Sequence, residues 1–199
     1  MVGRQLRLAG NLQSELSIDE RDCRRFVTID PAGTSAERAA EQRGRSACFT
    51  VLEVWDQPRG TGSEHLILRE VVRDRVGFDG LCRLIRDVNR QWKPARLLIE
   101  NEKLGQAAVD VLGRELPITT IATQGRDKIA RAARLLVKLE RGEIWLPSAA
   151  PWLSELENEW LSWTGLPNET SDQIDAAAYA ALEADGFGGS ISVERILPR

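Results

Sequence analysis

Two carboxylates stand where short apolar runs of the sequence end. Residues 26–29 form a β-prone run that leads directly to Asp30, after which Pro31 stops the strand. Residues 97–99 form a second apolar run, and Glu100 follows it in the same way. Either carboxylate alone could simply cap a turn or lie in solvent. Together they predict a site at the end of two strands, provided that the fold brings the strand ends together.

A second pair of carboxylates opens the last predicted helix. Asp172 and Asp175 are spaced i, i+3, so they lie on one helical face, and the positive end of the helix dipole favours an ionised Asp172. Thr170 and Gln173 have the spacing of a capping box. The carboxylates of this helix are therefore candidates to join those at the strand ends.

Periodicity in the sequence predicts the elements that must position these groups. Residues 1–22 are polar and weakly patterned, so we expect a linker or N-terminal arm, followed by one domain over 23–186 and a flexible tail over 187–199. Within the domain, three strands joined by loops predict an antiparallel meander, and helices then alternate with strands. Predicted strands are 23–30, 47–55, 65–72, 96–99 and 118–122, and residues 144–146 are consistent with a further short strand. Predicted helices are 78–92, 104–112, 127–140, 152–160 and 172–183.

This order, βββαβαβα, is typical of the α/β class with an RNase H-like fold, a central five-stranded mixed sheet with helices on both faces. In that fold the first and fourth strands are neighbours, so Asp30 and Glu100 would converge, and the last helix would add Asp172 and Asp175. Crowded carboxylates repel and favour a counter-ion, and an all-oxygen set suits Mg²⁺ or Mn²⁺. Two such ions about 4 Å apart could activate a water and stabilise the leaving oxygen of a phosphodiester.

Composition sets limits on partners. The 199 residues are 42% hydrophobic and 29% charged, which is ordinary for a globular protein, and the net charge is −3. DNA binding must therefore depend on a local patch. Three widely spaced cysteines support neither a disulfide framework nor a zinc site, and no apolar run is long enough to span a membrane.

A basic segment offers such a patch. Between positions 126 and 141 there are six basic and two acidic residues. An ordinary solvated helix face with internal ion pairs explains them equally well. If the segment binds DNA phosphates, the residues placed to do so are Arg126, Lys128, Arg131 and Arg134.

Aromatic residues favour structural roles. Four tryptophans, Trp145, Trp152, Trp160 and Trp163, alternate with leucines, which predicts a satellite core. His65, the single histidine, lies in a predicted strand and is interpreted as structural. Metal-activated water is then the expected nucleophile.

Four pieces of sequence together resemble one family. They are Phe26 to Gly33, Leu97 to Glu100, Lys128 to Ala132 and Ser171 to Ala176, in that order on the predicted elements. Over residues 23–185 the chain resembles the C-terminal nuclease domain of phage large terminase subunits.

The resemblance implies a metal-dependent endonuclease that cuts concatemeric double-stranded DNA during genome packaging in the host cytoplasm. Asp30, Glu100 and Asp172 would be catalytic and would hold two Mg²⁺ or Mn²⁺ ions, with Asp175 in support. Implied partners are double-stranded DNA, a packaging ATPase domain, the portal and the small terminase subunit, with no membrane.

Departures from the family leave alternatives open. Thr170 and Ser171 stand where many members have His-Asp, so the choice between Asp172 and Asp175 stays open. The sequence has no GxxxxGK[ST] phosphate loop for ATP. The chain could instead be a Holliday-junction resolvase-like nuclease, a single lobe related to actin-like kinases, or a non-catalytic docking module of the packaging motor.

Overall fold

The computed structural model describes residues 5–9, 15–31, 49–60, 62–121, 128–166 and 169–186. The predicted tail 187–199 and Arg126 lie outside the described residues. The strands are β1 (Gln5–Ala9), β2 (Glu15–Asp19), β3 (Cys23–Asp30), β4 (Thr50–Pro58), β5 (Leu66–Asp74), β6 (Arg96–Glu100), β7 (Ile118–Ile121) and β8 (Ile144–Trp145). The helices are α1 (Phe78–Trp92), α2 (Lys103–Leu112), α3 (Lys128–Glu140), α4 (Leu153–Ser162) and α5 (Asp172–Ala184), with a 3-10 turn at Glu20–Asp22.

The main sheet is mixed and has six strands in the order β7-β6-β3-β4-β5-β8. The prediction of five strands was wrong by one, because β8 adds a short parallel pairing to the edge of β5. The short strand that the sequence suggests over 144–146 is therefore present as β8, although the predicted five-stranded sheet does not include it. β1 and β2 form a separate antiparallel pair within the segment predicted as a linker or arm.

The strand pairing confirms the RNase H-like arrangement. β3, β4 and β5 form the antiparallel meander, and β6 pairs in parallel with β3. Ile29 lies opposite Ile99 in that parallel pair, so the residues that follow them, Asp30 and Glu100, leave the sheet side by side. The predicted neighbourhood of the first and fourth strands of the domain is therefore confirmed.

Helices cover both faces of the sheet. α1 buries Leu81, Cys82, Ile85 and Val88 against one face, together with α2. Its C-cap is Lys93, which has a φ of 48° and is followed by Pro94. α5 crosses the other face and is buried almost along its whole length. Its alanines are small enough to let the helix backbone lie close to the strands, which keeps the first turn of α5 near the strand ends.

Two local predictions were wrong. Trp152, Trp160 and Trp163 pack against the main core under α4 and α5, so they do not form a satellite core, whereas Trp145 packs against a separate small cluster of Ile18, Cys23 and Ile67. The predicted capping box is also missing, because the N-cap of α5 is Ser171 and makes no side-chain capping hydrogen bond. Within the described residues, no helix combines the length and apolarity needed to cross a membrane.

Candidate active site

The strand ends bring two carboxylates into the protein interior. Asp30 is 9% exposed and Glu100 is 7% exposed, although each is the last residue of its strand. Helix α2 packs directly behind Glu100, where a Cβ atom on Gly105 would overlap the Glu100 carbonyl oxygen. Glycine at 105 thus allows the close contact that covers the end of β6.

The first turn of α5 contributes two more carboxylates in different surroundings. Asp175 is 7% exposed, and its Oδ2 accepts a 2.9 Å hydrogen bond from Oγ of Ser171. Asp172 is only partly buried, and its Oδ2 accepts a 3.0 Å hydrogen bond from the backbone N–H of Phe49. The i, i+3 pair therefore places Asp175 inside the site and Asp172 at its margin.

Burial and mutual repulsion make this cluster electrostatically costly. Burial is the main reason why the pKa of Asp30 lies well above its ordinary value, and the charges of Asp175, Glu100 and Asp172 raise it further. Burial likewise raises the pKa of Glu100. The four predicted carboxylates therefore act on one another as a single charged cluster.

Arg131 supplies a positive charge inside this cluster. Its Nη1 lies 3.0 Å from Oε1 of Glu100, and its Nη2 lies 3.0 Å from Oδ1 of Asp175. The side chain is only 12% exposed. Burial lowers the pKa of Arg131, but Asp175 and Glu100 more than offset that effect, so the guanidinium stays charged. The sequence placed Arg131 among DNA-binding residues, whereas the structure places it between two carboxylates.

Of the other three residues of the predicted basic patch, the structure describes the side chain of Arg134. Nη1 of Arg134 lies 2.7 Å from Oδ2 of Asp185, so this side chain forms an ion pair on the surface of α3. The side chain of Lys128 lies outside the described residues, as does Arg126.

Sequence reasoning missed two buried groups below the cluster. Glu53, in the middle of β4, is fully buried, and neither of its carboxylate oxygens has a hydrogen-bond partner among the described residues. Burial raises its pKa well above the ordinary value, with a further contribution from Glu159. Tyr179 on α5 is also fully buried, and its hydroxyl likewise lacks a hydrogen-bond partner there. A charged residue within the apolar run Val51-Leu52-Glu53-Val54 was the signal that could have identified Glu53.

Glu159 on α4 replaces the expected cap of α5. Its Oε1 accepts a 2.8 Å hydrogen bond from the backbone N–H of Gln173, and its Oε2 accepts a second 2.8 Å bond from the Gln173 side chain. These bonds satisfy an orphan donor in the first turn of α5. The side chain of a neighbouring helix thus fixes the turn that carries Asp172 and Asp175.

His65 lies at the opposite end of β5 from these carboxylates. Its Nδ1 accepts a 3.0 Å hydrogen bond from Nε1 of Trp145, and the two rings meet edge to face. This contact agrees with the structural role that the sequence suggested.

The donor chemistry of the cluster suits a hard divalent cation. Asp30, Glu100, Asp172 and Asp175 offer only carboxylate oxygens, which Mg²⁺ and Mn²⁺ prefer. Among the residues that the structure describes, however, no group of three or more His, Cys, Asp or Glu is arranged to hold a metal ion directly. In this conformation the guanidinium of Arg131 provides the positive charge between Glu100 and Asp175.

Comparison with known proteins finds similar structures but no similar sequence. No family model matches the chain, and no curated protein matches its sequence. The large terminase nuclease from thermophilic phage G20c with bound zinc superposes with a TM-score of 0.57 at 12% identity, covering 89% of this chain and 92% of that one. The nuclease domain of the large terminase from bacteriophage SPP1 with bound manganese gives 0.53 at 16% identity, covering 83% and 88%.

This chain has the fold of a large terminase nuclease domain. A third structure, the G20c nuclease with bound magnesium, agrees, with a TM-score of 0.57 at 12% identity over 88% of this chain and 91% of that one. The terminase nuclease fold thus confirms the resemblance drawn from the four short pieces of sequence, at the level of architecture.

Proposed function

We propose that this protein is a metal-dependent DNA endonuclease, the nuclease domain of a viral large terminase. One observation carries the proposal: Asp30, Glu100 and Asp175 are buried together where two adjacent strands end beneath a helix. Burying several carboxylates destabilises a fold, so such a cluster at the strand ends favours a functional use over a structural one.

The residues that would hold the ions are Asp30, Glu100 and Asp175, with Asp172 at the margin. When bound, a pair of Mg²⁺ or Mn²⁺ ions would supply an activated water and stabilise the leaving oxygen of a phosphodiester. We infer that Asp175 contributes more to metal binding than Asp172. Asp175 is buried beside Asp30 and Glu100, whereas Asp172 is partly exposed and accepts a hydrogen bond from the backbone of Phe49.

We also propose a substrate, a biological process and partners for this nuclease. The substrate would be concatemeric double-stranded DNA, cut during genome packaging in the host cytoplasm. The partners would be a packaging ATPase domain, the portal and the small terminase subunit. Support for these assignments comes from the sequence resemblance and from the terminase nuclease fold.

Cleavage of supercoiled plasmid tests the proposal directly. Wild-type protein should nick and linearise plasmid with Mn²⁺ or Mg²⁺ and should be inactive with EDTA. Asp30→Asn removes a carboxylate that would hold the ions, so it should lower the cleavage rate roughly a thousandfold or more. Each factor of ten corresponds to ~1.4 kcal/mol of lost transition-state stabilisation. The matched control is Asp110→Asn, which alters an exposed carboxylate of α2 on the other face of the sheet.

The same assay ranks the carboxylates of α5. Asp175→Asn should lose much more activity than Asp172→Asn, and the reverse order would contradict our assignment. If the wild-type protein neither cleaves plasmid nor binds Mn²⁺ by calorimetry, the non-catalytic docking module becomes the better explanation.

A further inference from the structure

The sheet register extends the candidate active site toward β5. Asp30 pairs with Val51 of β4, and Val51 pairs with Arg73 of β5. Directly paired residues point to the same face of a sheet, so Arg73 lies on the same face as Asp30, two strands away. That separation is roughly 10 Å.

An aromatic ring holds two arginines at this place. The Cζ atom of Arg73 lies 3.4 Å from the centre of the Phe49 ring, and the Cζ atom of Arg75 lies 4.2 Å from it. We call these three residues the Phe49 stack. A guanidinium within ~6 Å of an aromatic ring centre is attracted to the ring, so Phe49 fixes both cations in place.

The Phe49 stack is connected to the candidate active site by a backbone hydrogen bond. The N–H of Phe49 donates to Oδ2 of Asp172 at 3.0 Å. The position of the ring, and with it the position of both guanidinium groups, is therefore fixed relative to the carboxylate cluster.

The two arginines of the Phe49 stack differ in exposure. The side chain of Arg73 is 13% exposed and forms an ion pair with Glu155 of α4. Arg75 follows the last residue of β5 and is exposed. The contact with Phe49 thus holds the exposed Arg75 guanidinium in a defined position at the surface, with the more buried Arg73 on the same ring.

We propose that the Phe49 stack binds a backbone phosphate of the DNA strand that enters the active site, with Arg75 donating to the phosphate. Phe49 and Arg73 are positioning residues in this arrangement. The inference rests on the proposed nuclease function and extends it by assigning a DNA contact at the end of β5, in addition to the contacts predicted for α3. A planar guanidinium donates two hydrogen bonds to a phosphate, which suits contacts that position DNA without reading its sequence.

Binding of a short fluorescein-labelled duplex, followed by anisotropy in EDTA over a series of salt concentrations, tests the proposal. Arg75→Ala should weaken binding roughly tenfold, as expected for a lost charge-assisted hydrogen bond. The negative slope of log affinity against log salt concentration should become shallower by about one. The control is Arg90→Ala, which removes an exposed arginine of α1 that pairs with Asp87 on the far face of the sheet. It should bind like the wild type.

Two further variants separate charge from stacking. Arg75→Lys should keep the salt slope but recover only part of the affinity, because lysine keeps the charge and loses the planar contact. Phe49→Leu should weaken binding in the same direction as Arg75→Ala, with its folding checked by thermal denaturation.

The outcomes distinguish this inference from the proposed function. If the wild type and Arg75→Ala bind duplex equally well and with the same salt slope, this inference alone is overturned. If the wild type binds no duplex, this inference is overturned, whereas the nuclease function is decided separately by the plasmid cleavage assay.

Discussion

The two faces of the central sheet are built from the same strands but carry different residues. On the face covered by α1 and α2, the inward positions at the centre of β3, β4 and β6 are apolar: Val27, Ile29, Leu52, Val54, Leu97 and Ile99. Asp56, near the end of β4, is buried on the same face and forms ion pairs with Arg25 and Arg69. On the face covered by α5, the same strands alternate apolar with polar groups, and the buried polar ones include Thr28, Asp30, Glu53 and Glu100. The first face is a hydrophobic core whose buried carboxylate, Asp56, is paired with two arginines, and the second face combines a core with several crowded carboxylates.

The two faces of the sheet therefore contribute differently to stability and to function. Burying apolar side chains stabilises the fold, whereas each buried carboxylate destabilises it unless the proton or a cation compensates. The face under α1 and α2 can therefore supply stability while the face under α5 holds groups that are useful only for binding or catalysis. Substitutions on the two faces should then have opposite signatures, and the following experiments test that expectation.

The largest effect on stability should come from the apolar face. Leu52→Ala should lower the free energy of unfolding by about 2–5 kcal/mol, because it leaves a cavity between β4 and α1. Asp30→Asn should not lower it, since an amide at that position carries no charge to desolvate. Urea denaturation followed by circular dichroism measures both. Equal destabilisation by the two variants would remove the distinction between the faces.

An intermediate effect should follow from removing the internal cation. Arg131→Ala should raise the affinity for Mn²⁺ roughly tenfold, about 1.4 kcal/mol, because the guanidinium no longer competes for Glu100 and Asp175. The metal-free variant should also melt at a lower temperature, because two buried carboxylates lose their partner.

Calorimetric titration of Mn²⁺ measures this effect. Arg141→Ala is the control, since Arg141 is exposed and lies near Glu143 instead of the cluster. Weaker Mn²⁺ binding by Arg131→Ala would show that the arginine helps to form the site.

The smallest effect should come from substituting Glu53, which should change the pH dependence of thermal stability. Its pKa in the folded protein is raised above the unfolded value, so the folded state holds the proton more tightly. The contribution of Glu53 is then fully present below the ordinary carboxyl pKa and is lost as pH rises toward its folded pKa.

Glu53→Gln cannot ionise, so its melting temperature should fall less than that of the wild type between acid and neutral pH. Each kcal/mol corresponds to ~2–4 °C for a protein of this size. The measurement is the difference in melting temperature between variant and wild type across that pH range. A constant difference would mean that Glu53 does not titrate anomalously.

Much of the carboxylate site could be predicted because strand ends have a local signal. Asp30 and Glu100 follow apolar runs, and the order of elements was enough to place those strands next to each other, as the parallel pairing confirms. The roles within α5 were harder to predict. The i, i+3 spacing puts Asp172 and Asp175 on one face, but their different burial depends on Phe49, Ser171 and the packing of the whole helix.

The sequence by itself therefore determined the RNase H-like order of elements, the alternation along the strands and the two strand-end carboxylates, because each depends on neighbours close along the chain. Only the tertiary structure decided that Arg131 points into the cluster, that Glu53 is fully buried and that Phe49 orders two arginines beside Asp172. These facts depend on which element packs over a given face, and such contacts join residues far apart in sequence.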